Sequence, residues 1–293
     1  MAPEWLSGSM TALVTPFKGG AVDKKALAVL IERQIAGRTR AIVAAGTTGE
    51  AATLNADEHI GVIAKAVEIA DGRIAVVGGC GANVTADAVD LAKACAQVGA
   101  VGVMATTGYY NKPSRAGLIA HYTALSGATD LPIILYNVPS RTASDMTPDL
   151  IGELSHLPNA AALKDASGDL ARVAQHRLLC PSDFVFLSGE DITAVGFNAM
   201  GGTGCISVTA NVAPEHCAAM QEACQAGDYA KARVLQDQLT PLHDAIFADA
   251  SPAPAKYALT KMGLIEEELR LPLVPASEKA RGAIDAALRD LDL

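Results

Sequence analysis

Short apolar runs recur along the chain, and the spacing between them leaves room for a helix each time. The runs are Thr11–Val14, Ala41–Ala45, Ile74–Val77, Val101–Ala105, Ile133–Tyr136, Ala160–Lys164, Phe184–Leu187 and Cys205–Val208. Each is rich in Val, Ile, Leu or Ala and none alternates with polar residues, which is how a strand buried on both faces reads. Between the runs, apolar residues fall at helical spacing. One such stretch begins near Asp23 and continues through Leu27, Leu30, Ile31 and Ile35; another runs from Ala56 through Ile60, Ile63, Ala64 and Val67. Asn55, with Glu58 three residues on, predicts an N-cap and capping box for the second stretch. Thr85 opens a third helix, and Pro113 and Pro148 predict the first turns of two more, where the missing N–H costs nothing.

Buried strands alternating with helices predict an α/β protein, a closed (β/α)8 TIM barrel. An open doubly wound sheet is the alternative. Its nucleotide-binding form needs a glycine-rich turn after the first strand, and Thr15-Pro16-Phe17 stands there. The stretch Gly78-Gly79-Cys80-Gly81 lacks the third glycine and follows the third strand, so the barrel is preferred. Beyond about Pro214 only helical spacing remains, through Leu235, Leu239, Leu242 and Ile246 to a last helix at Ser277–Leu288. A proline-rich turn, Ser251-Pro252-Ala253-Pro254, interrupts it. The expected organisation is a catalytic barrel over residues 1–228 and a small C-terminal helical domain over 229–293.

Composition narrows the function classes. Half of the 293 residues are hydrophobic, enough for a full core, which excludes a disordered chain. A net charge of −9 disfavours a nucleic-acid partner, which would call for a basic face. No apolar run approaches the length of about 18 residues that a membrane span needs. The stretch Met1–Gly8 carries Glu4 and no basic segment, so no secretory leader is expected and the cytoplasm is the predicted location. Cys80, Cys95, Cys180, Cys205, Cys217 and Cys224 form no C-x-x-C pair and sit among apolar or small residues, which predicts buried free thiols. The histidines are scattered, with no H-E-x-x-H, so neither a metal nor another cofactor is expected.

In a barrel the reactive groups sit at the C-terminal ends of the strands. Those ends read Gly46-Thr47-Thr48-Gly49-Glu50, Gly108-Tyr109-Tyr110-Asn111, Tyr136-Asn137-Val138-Pro139-Ser140-Arg141-Thr142, Lys164-Asp165 and Ser188-Gly189-Glu190. Lys164 follows four apolar residues, so its amine is placed where desolvation favours the neutral, nucleophilic form that imine chemistry uses. Pairing with Asp165, or reaching out to solvent, is the plainer alternative. The Gly46–Glu50 turn offers hydroxyls and backbone N–H groups to a carboxylate, although an ordinary strand-to-helix turn has the same look. Tyr136 offers a phenol for proton relay, with Thr47 and a second tyrosine as partners, or it is a packing residue. Arg141 has the planar fork that grips carboxylates, or it is a solvated charge. Together these groups suit imine chemistry on a 2-oxo acid. A metal-dependent aldolase is set aside for want of clustered ligands.

Four segments carry a resemblance: Gly46-Thr47-Thr48-Gly49-Glu50, Tyr109-Tyr110-Asn111-Lys112-Pro113, Leu135-Tyr136-Asn137-Val138-Pro139-Ser140-Arg141-Thr142 and Lys164-Asp165-Ala166-Ser167-Gly168. They resemble the pyruvate-dependent class I aldolase family, which includes the N-acetylneuraminate lyases. The similarity runs from Thr11-Ala12-Leu13-Val14-Thr15-Pro16 to Leu269-Arg270-Leu271-Pro272. It implies that Lys164 forms a Schiff base with pyruvate, that Tyr136 is the phenol beside it, and that Thr47 links Tyr136 to Tyr110. It implies that Tyr110 reaches into a neighbouring subunit, hence at least a dimer and typically a homotetramer built as a dimer of dimers. Thr48 would bind the pyruvate carboxylate, Gly189 and Ile206 would line the pyruvate pocket, and Arg141 would bind the carboxylate of L-aspartate 4-semialdehyde. The product of that condensation enters the diaminopimelate route to lysine. The resemblance also implies an effector site for lysine at Ala52, His59, Asn83, Asp87 and Tyr109. Here the chain departs from lysine-inhibited relatives, which often have histidine at Ala56 and glutamate at Asp87. Asp165 and Ser167 replace the commoner glutamate and threonine. Among family members, N-acetylneuraminate lyases and 2-keto-3-deoxy sugar acid aldolases share the lysine and tyrosine; the sialate lyases typically have serine at Thr47 and lack Arg141. A non-catalytic binding barrel would be expected to have lost at least one of Lys164, Tyr136, Thr47 and Arg141.

Overall fold

Each of the eight apolar runs overlaps a strand, and the eight strands close into a parallel barrel. The structure is a computed structural model that describes residues 3–293, so Met1 and Ala2 of the Met1–Gly8 stretch lie outside the described residues. The barrel strands are β1 (Gly8–Ala12), β2 (Ala41–Ala44), β3 (Ala75–Gly79), β4 (Gly102–Thr106), β5 (Ile133–Asn137), β6 (Ala160–Asp165), β7 (Val185–Ser188) and β8 (Gly204–Ser207). Each pairs with the next in sequence, and β1 closes the ring on β8. The lack of polar alternation has a direct cause. Met10, Val43, Val77, Met104, Ile134, Ala162, Leu187 and Ile206 fill the barrel interior. Their sequence neighbours Ile42, Val76, Val103, Ile133, Leu163, Phe186 and Cys205 pack outward into the shell of helices. Both faces are dry, so both are apolar.

The first strand begins earlier than its apolar run. Gly8–Thr11 pair in register with Gly204–Ser207, whereas Leu13 and Val14 leave the ladder, the Val14 N–H donating to Asn211 Oδ1 at 3.0 Å. Leu13 and Val14 are buried all the same, and burial alone does not mark a strand end. The helix caps follow the sequence closely. Asp23 accepts from Lys25 N and Ala26 N at the head of helix Lys24–Ala36, and the Asn55–Glu58 capping box opens helix Ala56–Ala70. Helix Thr85–Gln97 starts at Thr85, and Pro148 is the first residue of helix Pro148–Leu154. Pro113 does not start a helix: Ser114 caps Arg115–Ser126 instead, its Oγ accepting from Gly117 N. A serine oxygen satisfies an orphan N–H that proline cannot reach.

After the barrel helix Pro214–Gln225 come Tyr229–Ile246, Ala253–Lys261 and Glu278–Asp290. The middle one was hidden in the sequence because its first turn coincides with the proline-rich segment, where proline is tolerated. Leu239, Leu242, Ala258 and Ile284 share one continuous apolar core with the barrel helices. Every cysteine is a free thiol; five are buried and Cys180 is half-buried. Among the described residues no helix is long and apolar enough to cross a membrane.

Candidate active site

Register brings the central pair together. Tyr136 on β5 lies opposite Lys164 on β6, and both side chains follow Ile134 and Ala162 into the barrel. Lys164 is 4% exposed, and its Nζ lies 4.2 Å from the centre of the Tyr136 ring. The plainer reading of Lys164 as the partner of Asp165 does not hold. Asp165 points to the other side of the wall, where Oδ1 accepts from Ser167 N at 2.9 Å and Oδ2 lies 3.5 Å from His176 Nε2. Among the described residues no carboxylate forms an ion pair with Lys164, and Glu190 is the acid whose carboxyl feels its charge.

The Gly46–Glu50 turn sits above this pair and is held tightly. The Thr15 hydroxyl donates to Gly49 O at 2.7 Å, and Glu50 N donates to Thr47 O at 3.1 Å. Ala45 and Glu50 adopt left-handed backbone, a strained state for residues with a Cβ. Gly79 at the end of β3 makes room for the turn, since a Cβ there would fall 2.2 Å from Ala45 O. Thr47 is exposed to the space above the barrel and Thr48 is buried. The short helical turn Pro139–Thr142 after β5 carries Arg141 to the rim, where it is exposed.

Gly189 and Ile206 close the far side. The Gly189 N–H donates to Asp165 O at 2.7 Å, and a Cβ at Gly189 would fall 2.7 Å from the Ala166 Cβ. Ile206 is fully buried in the barrel interior. Behind it, Asp191 accepts from the Ser207 hydroxyl and from Val208 N at 2.9 Å, and so holds the end of β8. Beside it stands Glu190. Burial pushes its carboxyl up from the ordinary value and Asp191 adds to the rise, while Lys164 and Arg141 pull it down. Neither acid had a role assigned from sequence. Glu190 was visible only as a strand-end carboxylate, and the capping work of Asp191 depends on β8 being its neighbour in space.

A cavity of about 890 Å³ is walled by Thr47, Tyr136 and Arg141, whereas Lys164, Thr48, Gly189 and Ile206 lie outside its lining. It runs on between helices Ala56–Ala70 and Thr85–Gln97, where Ala52, His59, Asp87 and Tyr109 also line it. Asn83 holds that end together, its Oδ1 accepting from Tyr109 N at 2.6 Å. His59 Nε2 pairs with Gly79 O at 2.7 Å, and burial keeps its imidazole below the ordinary value. The candidate effector residues and the mouth of the barrel thus share one groove. Tyr110 stands apart. It is 91% exposed, has a left-handed backbone, and lies outside the wall of its own chain's cavity.

One further set of residues escaped the sequence reading. Glu50, in the turn, forms a buried ion pair with Lys256 of the C-terminal helices, and its other carboxylate oxygen accepts from Arg270 N at 3.2 Å. The available signal was a single lysine among apolar residues in Ala253–Leu259.

Comparison with known proteins accords with this architecture. The family model described as the dihydrodipicolinate synthetase family matches residues 5–291. The chain is 51% identical over 286 residues to 4-hydroxy-tetrahydrodipicolinate synthase of Ruegeria pomeroyi, covering 98% of this chain and 99% of the relative. The chloride-inhibited dihydrodipicolinate synthase of Acinetobacter baumannii, solved with pyruvate, superposes with a TM-score of 0.95 at 41% identity, covering 98% and 99% of the two chains. The Cyanidioschyzon merolae enzyme, solved with lysine bound, gives 0.96 at 34% identity and 99% and 100% coverage. A barrel that presents a buried lysine against a tyrosine ring, and matches these proteins end to end, belongs to the dihydrodipicolinate synthetase family.

Proposed function

We propose that the chain catalyses the reaction for which its relatives are named, condensing pyruvate with L-aspartate 4-semialdehyde on the route to diaminopimelate and lysine. The observation that carries this reading is the Lys164 amine, without an ion-pair partner and 4.2 Å from the ring of Tyr136, which lines a cavity together with Arg141. Lys164 Nζ attacks C2 of pyruvate, and the carbinolamine oxygen leaves as water once it has received a proton relayed by the Tyr136 phenol. The resulting iminium draws electrons from C3. Loss of a C3 proton gives an enamine, whose carbon attacks the aldehyde of the second substrate. Thr48 and the backbone of the Gly46–Glu50 turn receive the pyruvate carboxylate, with Gly189 and Ile206 shaping the pocket around it. Arg141 receives the carboxylate of the semialdehyde, a role for which its bidentate fork is suited.

Tyr110 contributes from a neighbouring subunit, with Thr47 linking it to Tyr136, in a homotetramer arranged as a dimer of dimers. Its 91% exposure and its position outside the cavity of its own chain support that role. The groove end formed by Ala52, His59, Asn83, Asp87 and Tyr109 is the place for lysine as an effector, with Ala56 and Asp87 departing from the usual pattern. The catalytic barrel ends near residue 228, and 229–293 form the appended helical domain. The protein acts in the cytoplasm.

The acceptor decides between this reading and a sugar-acid aldolase of the same family. Purified protein should consume pyruvate with L-aspartate 4-semialdehyde and not with N-acetylmannosamine. Turnover with N-acetylmannosamine alone would replace the reading.

A further inference from the structure

The pair Glu50–Lys256 is fully buried, and both ends belong to segments far apart in sequence. Burying two charges costs most of what their attraction returns, so such a pair adds little to stability compared with apolar residues of the same size. It does impose a geometry. Glu50 closes the turn that carries Thr47 and Thr48, and its backbone is left-handed at φ 57°. Both oxygens of its carboxylate are held by the C-terminal segment, one by Lys256 and the other by Arg270 N at 3.2 Å. Lys256 is itself fixed, donating to Glu268 O at 2.9 Å and lying 4.2 Å from the centre of the Phe17 ring. Arg270 lies 4.5 Å from the centre of the same ring and donates to Thr53 O at 2.9 Å, just past the turn. Its guanidinium then grips Glu58 in the capping box of the helix that follows.

We propose that Lys256 is a positioning residue: by gripping Glu50 it fixes the Gly46–Glu50 turn in the form that receives the pyruvate carboxylate, so that the C-terminal helical segment takes part in substrate recognition without touching substrate. The proposal rests on the reading of Lys164 as a pyruvate-binding lysine and extends it. A merely structural pair would alter melting behaviour and leave pyruvate affinity alone.

The test reads the pyruvate concentration that half-saturates borohydride trapping on the whole protein. Lys256→Met leaves a buried carboxylate without its partner, so the main variant is the double change Glu50→Gln with Lys256→Met, which removes both charges and nearly conserves volume. Arg270→Gln, at a partly exposed side chain, is the second variant. The double variant should fold, trap pyruvate fully at saturation, and need about tenfold more pyruvate to reach half-saturation, the pattern of lost ground-state binding. Arg270→Gln should shift the same quantity in the same direction. Half-saturation within about twofold of the parent in the folded double variant, or in Arg270→Gln should the double variant not fold, would overturn the proposal. Absence of trapping in the parent would instead overturn the pyruvate reading on which it rests.

Discussion

Lys164 and Asp165 are adjacent in sequence and serve opposite sides of the barrel wall. The Lys164 amine lies 4.2 Å from the Tyr136 ring, and the Asp165 carboxylate lies 3.5 Å from His176 beneath helix Ala171–Leu179. Strand alternation alone produces this separation. It keeps the amine out of an ion pair with Asp165 and makes Asp165 an anchor for the strand that carries it.

Tyr136 is 5% exposed, so its ring packs into the barrel interior whatever its phenol does. Tyr136→Phe keeps the ring and removes the phenol. A kcat lower by about 10²-fold is expected, with folding intact, because proton relay is worth that much or more. Steady-state kinetics beside circular dichroism checks this, and an unchanged kcat would make Tyr136 a packing residue only.

Arg141 stands near enough to Glu190 to pull its carboxyl down against the rise that burial causes. The second substrate is an amino acid, and its carboxylate and ammonium call for one cation and one anion. Arg141→Ala should raise KM for L-aspartate 4-semialdehyde by about 10²-fold or more, as loss of a charge-assisted contact does. Glu190→Gln should raise it less, through loss of one charge at unchanged shape. Neither change should weaken trapping of pyruvate alone. An unaltered semialdehyde KM in Arg141→Ala would remove that residue from recognition.

Acid should destabilise the fold in two steps. Burial holds the imidazoles of His59 and His121 below their ordinary 6.5, so below that pH the unfolded chain takes up protons that the folded one refuses. Stability is therefore full above 6.5 and falls as pH drops towards the folded values. The second step includes Glu58, which its bond to Arg270 holds at about 2 and whose contribution, full above 4.5, is lost between 4.5 and 2; Arg172 holds Asp145 below its ordinary value in the same direction. Thermal melts across both windows test this. His121→Phe should flatten the upper step, and a melting temperature that rises on acidification would contradict the assignment.

The barrel was legible because its strands are dry on both faces, and continuous apolar runs leave few other interpretations. The candidate site residues could be picked out for a related reason: Lys164, Tyr136 and Arg141 are polar groups at or just past the ends of such runs, which singles them out without fixing their roles. What the sequence hid depends on partners remote along the chain. Nothing near Lys256 reveals Glu50, and nothing near Asp191 reveals the N–H groups of Val208 and Thr209 that it caps. Leu13 and Val14 misplaced the first strand because they are as buried as the ladder itself. Helix Ala253–Lys261 was masked by prolines whose place in a first turn becomes clear only when the following residues are seen to wind.

The central claim is that Lys164 is the amine that holds pyruvate. Treating the protein with pyruvate and borohydride, then mapping the adduct by peptide mass spectrometry, tests it most directly. The account predicts one reduced pyruvyl adduct per chain, on Lys164, and none in Lys164→Arg, which keeps the charge but cannot form the imine. An adduct on another lysine, or equal labelling in Lys164→Arg, would contradict it.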